Sequence, residues 1–161
     1  MNRKLLITGI FLTTMAFGFQ GFAQTLNEAV KSGNKETVTK LIASKVNINE
    51  ADNEGRTPLM TACSLGNIEL AQILLNSGAD VNATNKNNVT AMMIAADFAY
   101  VDIVNLLMAH GANAKMRDVH SMSAFDHVIE ANVEAAKKNA PAGVRVDRDT
   151  LIALLGAAQK K

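Results

Sequence analysis

The chain has 161 residues, enough for one domain, and its 16 Lys and Arg nearly balance its 15 Asp and Glu. That balance excludes a nucleic-acid or acidic-membrane surface built on net charge. A single cysteine, Cys63, excludes an intramolecular disulfide.

The first residues stand apart from the rest. Asn2-Arg3-Lys4 is a short positive start, Leu5 to Phe19 is uncharged and mostly apolar, and Gly21-Phe22-Ala23 sets small residues two apart before Gln24. This is the three-part pattern of a secretory signal, and it predicts a cut between Ala23 and Gln24. The competing reading is an uncleaved anchor, for which the stretch is short against the roughly 20 residues of a span. No cysteine follows the apolar run, so a lipoprotein-type anchor is not supported. Loss of 1–23 removes Arg3 and Lys4 and no acidic residue, so 14 basic against 15 acidic side chains leave a mature charge of −1. The expected location is the periplasm or the exterior, with no membrane span after cleavage. Phe98, Phe125 and Tyr100 are the aromatic residues that remain. A core of Ala, Leu, Ile, Val and Met suits thin layers of closely packed helices.

The mature chain then opens with a helix over Leu26–Ser32, which Thr25 can cap and whose first turn holds Glu28. Lys31, Lys35, Glu36, Thr39 and Lys40 are the polar outer positions that an end layer needs. In the next unit Thr57 can cap a helix with Pro58 at its first position, where no N–H is required. Leu59, Ala62 and Cys63 form its apolar stripe. Gly66-Asn67 turns the chain back, and Ile68, Ala71, Leu74 and Leu75 form the stripe of a second helix. Gly78 supplies the positive φ that ends it. From Asp80 to Asn88 the chain is polar and extended, with a turn near Asn87-Asn88. The pattern repeats after Thr90. After Ser123 it changes: Phe125, Val128, Ile129, Val133 and Ala136 continue one stripe past the usual stop. Lys137 to Gly143 has loop composition, and Asp147 or Asp149 can cap a last helix carrying Leu151, Leu154 and Leu155.

These units share a period. Thr57, Thr90 and Ser123 are 33 apart, as are Gly78 and Gly111. Asn47-Ile48-Asn49, Asp80-Val81-Asn82 and Asn113-Ala114-Lys115 follow the same spacing, and Leu74-Leu75 matches Leu107-Met108 and Leu41-Ile42. Helices this short do not stand alone in water, so each unit is one layer of a stack. The layers run over about 24–53, 54–86, 87–119 and 120–161, with about 14 residues inserted near 133–146. That insertion reads as an elongated cap or as a specificity loop.

Thr57-Pro58-Leu59-Met60-Thr61-Ala62, Gly66-Asn67 and Gly78-Ala79-Asp80-Val81-Asn82 closely resemble the ankyrin repeat. The resemblance covers most of residues 25–134. It implies an all-α ankyrin-repeat solenoid of helix-turn-helix units with short β-turn fingers, and a concave face that binds other proteins. The family usually has His where this chain has Met60, Met93 and Asp126, so the loop bonds of that His, about 0.5–1.5 kcal/mol each, are in question. Asn88 and Ser121 replace the finger glycine Gly55, and Ser tolerates the left-handed region less well than Asn, so a distorted last finger is expected. Ala99 replaces Gly66.

The search for chemistry finds little. His110 precedes Gly111 at a helix end, where a cation complements the dipole. His120 lies on a finger tip and His127 within a helix. No histidines have metal-site spacing and no Cys–His cluster exists. Cys63 aligns with Ala96 and Ile129 on the buried stripe, and nothing in the sequence brings Asp97 and Asp126 together. No cofactor, metal site or catalytic set is expected, which argues against an enzyme. The expectation is a monomeric protein-binding module that takes no nucleic acid. Its outward positions are Asn53, Glu54, Arg56, Ser64 and Leu65 in one layer, and Lys86, Asn87, Val89, Asp97 and Phe98 in the next. The last layer adds Val119, His120, Met122 and Glu130. The alternative is a redox or soft-metal protein using Cys63 or Met60, Met92, Met93, Met108, Met116 and Met122.

Overall fold

The computed structural model describes residues 25–137 and 142–160, so residues 1–23, where a signal is expected from the sequence, lie outside it. Eight helices occur among those residues, in four antiparallel pairs: α1 (Leu26–Lys31) with α2 (Lys35–Ala43), α3 (Pro58–Ser64) with α4 (Ile68–Asn76), α5 (Ala91–Asp97) with α6 (Val101–Ala109), and α7 (Ala124–Lys137) with α8 (Ala142–Gln159). The inner helices α1, α3, α5 and α7 pack on one another in that order, and α4, α6 and α8 form an outer layer. Among the described residues the only β pairing is an isolated bridge between Thr84 and Thr90.

The caps follow the sequence pattern. Thr25 accepts from the Glu28 N–H while the Glu28 side chain accepts from the Thr25 N–H, a reciprocal capping box. Thr57 and Thr90 accept from Met60 and Met93 at 3.3 Å. In the fourth layer Ser123 and Asp126 take over this role: the Ser123 N–H and hydroxyl donate to Asp126 at 2.8 and 2.7 Å. Met93 also replaces part of the missing histidine bonding, because its Sδ accepts from the Thr90 N–H at 3.5 Å.

The core runs the length of the stack. Leu59, Met60, Ala62, Cys63, Met92, Met93, Ala95 and Ala96 are almost fully buried between layers, with Leu70, Leu74, Ile103 and Leu107 behind them. Two stripe assignments change. Ile68 is 45% exposed and Leu70 is the buried residue of that turn, because Ile68 is the first residue of α4 and projects beyond the layer. Ile129 is 39% exposed, unlike its counterparts Cys63 and Ala96. The inner helices that cover those counterparts have no successor beyond α7.

The fourth layer also departs from expectation. α8 begins at Ala142, so Asp147 and Asp149 lie inside the helix and do not cap it. The residues inserted near 133–146 lengthen both helices, so Lys137, Ala142 and Gly143 of the expected loop are helical, while its residues 138–141 lie outside the described residues. Leu151 and Leu155 are buried, Leu154 half-buried, and the Gln159 side chain donates to the Ser123 hydroxyl at 2.8 Å, tying the end of α8 to the start of α7.

Candidate interaction surface

Three consecutive fingers are built alike. Asp52, Asn85 and Asp118 each turn one side-chain oxygen back onto two backbone N–H groups: those of Glu54 and Arg56, of Asn87 and Val89, and of His120 and Met122, all at 2.8–3.0 Å. Gly55, Asn88 and Ser121 then turn the chain with φ of 80°, 57° and 63°. The last finger is therefore not distorted. The carboxylate of Asp118 holds both ends of its loop and carries Ser121 into the left-handed region.

The fingers are laced together by main chain. The Lys86 N–H donates to the Glu54 carbonyl at 3.3 Å, and the Val119 N–H donates to the Asn87 carbonyl at 3.0 Å. Burial opposes ionisation of Asp52 and of Asp118, yet the N–H groups they accept from outweigh it. Arg56 beside Asp52, and His127 and His120 beside Asp118, add to the effect. Both carboxyls are held below the ordinary carboxylate range.

The fourteen candidate positions divide into separate groups on this frame. Asn53, Glu54, Lys86, Asn87, Val119 and His120 are exposed along the finger tips. Arg56, Val89 and Met122 sit lower, partly buried. Arg56 is engaged within its own finger, with Nε 3.1 Å from Asp52 and Nη2 3.2 Å from Glu54. Its carbonyl accepts from Asn27 of the first layer at 2.7 Å, and that side chain accepts in turn from the Thr61 hydroxyl at 2.6 Å. Ser64, Leu65, Asp97 and Phe98 are at the far end of the inner helices, roughly 10 Å from the finger end of a seven-residue helix. Leu65 and Phe98 are C-caps and more than half exposed, while the Ser64 hydroxyl donates to the Thr61 carbonyl. Glu130 is exposed on α7.

Asp97 is not a free carboxylate. It lies 2.9 Å from Nδ1 of His127, whose Nε2 is 3.4 Å from Asp118 without an aligned hydrogen bond. The hydrogen bond that His127 donates to Asp97 outweighs the burial of the ring, and the charges of Asp97 and Asp118 add to it, so the His127 pKa is raised. Since the two carboxylates face opposite ring nitrogens, they cannot converge with His127 on one metal ion. The cluster instead joins α5, the last finger and α7. Asp126, the other carboxylate singled out in the sequence, is bound to Ser123 and lies 3.4 Å from Arg117. Its carboxyl is held below the usual range chiefly by the Ser123 backbone and hydroxyl bonds.

Sequence reasoning did not assign Asp118, Asn27 or Tyr100 a role. For Asp118 a signal was present: Asp52, Asn85 and Asp118 share the 33-residue period. Of the sulfur groups, Cys63, Met60, Met92 and Met93 are core material, Met108 and Met116 pack half-buried against it, and Met122 lies half-buried in the last finger. Burial pushes the Cys63 thiol up to about 12, which leaves no thiolate for redox or metal chemistry at neutral pH. Met60, Met92 and Met93 are 1% exposed. Among the described residues no group of three His, Cys, Asp or Glu side chains is placed to hold a metal ion, and no helix is long and apolar enough to cross a membrane.

Compared with known families, residues 26–118 match the family model described as ankyrin repeats (3 copies). No match is found among curated proteins.

Proposed function

Since the chain belongs to the ankyrin-repeat family, whose repeats generally mediate contact between proteins, we propose that it is an exported, non-catalytic module that binds a protein partner through its fingers. The observation that carries this reading is the finger ridge. Exposed side chains of three layers are set at a fixed spacing on a frame held by six Asx-type bonds and two cross-finger main-chain bonds. Rigid presentation of mixed polar, charged and apolar groups lowers the ordering cost of binding, and it is the composition that protein interfaces use. Glu54, Lys86, Asn87, Val119 and His120 are the side chains assigned to contact. Export rests on the three-part pattern of residues 1–23, and a mature charge of −1 supports a protein rather than a nucleic-acid partner.

Crosslinking in the native compartment followed by mass spectrometry tests the surface. Crosslinks from Lys86 to one protein are expected, and the triple variant Glu54→Ala, Lys86→Ala, His120→Ala should recover that protein at least tenfold less well in pull-downs. Equal recovery by wild type and variant would reject the finger assignment. Intact mass of the exported protein tests the remainder: retention of residues 1–23 would contradict cleavage after Ala23.

A further inference from the structure

The layers repeat so closely that a broken repeat stands out, and the turns before α4 and α6 together break the pattern at three successive repeat positions. The first and second layers turn on Gly33 and Gly66, whereas the third turns on Ala99, at φ 58°. Asn34 and Asn67 then cap α2 and α4 through their side chains, whereas Tyr100 occupies the same place before α6 and makes no cap bond. Lys35 of the first layer pairs with Glu69 of the second. One period later Ile68 stands in place of that lysine, so Asp102, the counterpart of Glu69, has no ion pair or hydrogen bond among the described residues.

What these exchanges build is an acid-edged recess, part apolar and part polar. The Tyr100 ring stacks on Phe98, with centroids 5.6 Å apart and planes at 18°. Its edge lies over Gly66, where a Cβ would meet the ring at 2.8 Å. Ile68, Tyr100, Val101, Ile103, Asp102 and, from the fourth layer, Thr150 line a recess of about 450 Å³ beside it. Three of the five large apolar side chains exposed among the described residues, Leu65, Ile68 and Phe98, belong to these two turns, away from the fingers. Local rules set aside together at one exposed place mark a functional site more often than an accident.

We propose that this recess is a second docking site, for a protein segment that presents a Lys or Arg beside a large apolar side chain. The apolar side chain enters the recess against Ile68 and Tyr100, and the cation takes up toward Asp102 the position that Lys35 holds toward Glu69. Charge complementarity selects this occupant, since the layer holds every part of the Lys35–Glu69 pair except the cation. The site is independent of the finger ridge and uses none of the finger residues.

The protein carries its own probe, because Tyr100 is its only tyrosine and it has no tryptophan. The full chain is titrated with acetyl-Leu-Lys-Leu-amide while Tyr100 emission is followed. A saturable change is expected, and Asp102→Asn should weaken it about threefold to fivefold, the worth of an exposed ion pair. Ile68→Lys, which supplies the cation from within the chain as Lys35 does, should abolish it while leaving the circular dichroism and thermal transition intact. Acetyl-Ala-Lys-Ala-amide and acetyl-Leu-Glu-Leu-amide should both bind more weakly. No saturable change with the first peptide, equal titration by the Glu peptide, or identical curves for wild type and Asp102→Asn would each overturn the proposal. The finger variant should respond like wild type, so failure here and failure of the finger assignment are read separately.

Discussion

At the scale of single residues, His127 is the group whose state couples layers. It bridges Asp97 of α5 and Asp118 of the last finger. Its folded pKa is raised above 6.5, its value in an unfolded chain. The stabilisation it gives is therefore complete below that value and is lost as pH rises through the folded pKa. Denaturant melts should accordingly show wild type losing stability as pH rises above about 6.5, relative to His127→Gln, which lacks the titration. The gap at low pH is expected to be about 1–2 kcal/mol, and a gap independent of pH would show that the ring acts only by packing. Asp118 can be dissected by a substitution that the protein itself makes one layer earlier. Asp118→Asn should keep the finger, as Asn85 does, and lose only the smaller part of the pH dependence, because the Asp97 bond to His127 remains. Asp118→Ala leaves two N–H groups unbonded and should cost about 2–3 kcal/mol by the same melts.

At the scale of elements, the turn before α6 gives up stability that its neighbours keep. Ala99 sits in the left-handed region, a strain of roughly 1–2 kcal/mol, partly offset by the lower unfolded-state entropy of Ala against Gly. Ala99→Gly should then raise stability by about 0.5–1 kcal/mol, seen as a higher midpoint at unchanged denaturant slope. Tyr100→Asn restores the side-chain cap of α2 and α4, worth about 1 kcal/mol, and removes the aromatic stack. Gly66→Ala is expected to cost about 2 kcal/mol in wild type, from left-handed strain and the clash with Tyr100. In a Tyr100→Asn background the clash disappears and only the strain should remain. Additive costs in that double-mutant cycle would mean that ring and turn do not touch.

For the whole molecule, stability is a sum over neighbouring layers rather than the property of one central core. The second and third layers are covered on both sides, as the near-complete burial of Leu59, Met60, Met92 and Met93 shows. The first layer has only Val38 buried in its outer helix α2. Hydrogen exchange should therefore be slowest in α3 and α5 and fastest in α2, and uniform protection along the chain would rule out layer-by-layer stability. Removal of 120–161 strips α5 of its cover by α7 and should lower the thermal midpoint of the remainder by at least 10 °C, on the usual scale of a few degrees per kcal/mol.

The linear order of residues already determined the repeat and the caps and turns of its first three layers, because these are local. Thr57 before Pro58, Gly78 after Leu75 and the 33-residue spacing act within one layer, and the matching positions were readable directly from the chain. The candidate surface was legible only in part. Exposure of Lys86, Asn87 and His120 follows from their place in a finger, and periodicity alone carries that far. Only the tertiary structure decided where equivalence fails: that Ile68 lies outside the core, that Asp97 is held by His127, that Phe98 belongs with Tyr100, and that the inserted residues lengthen α7 and α8. A period states which positions correspond, but not which side chains meet across layers or what becomes of a position once the stack ends. Those outcomes depend on contacts between residues some 30 apart in sequence, whose distances only the packed layers fix.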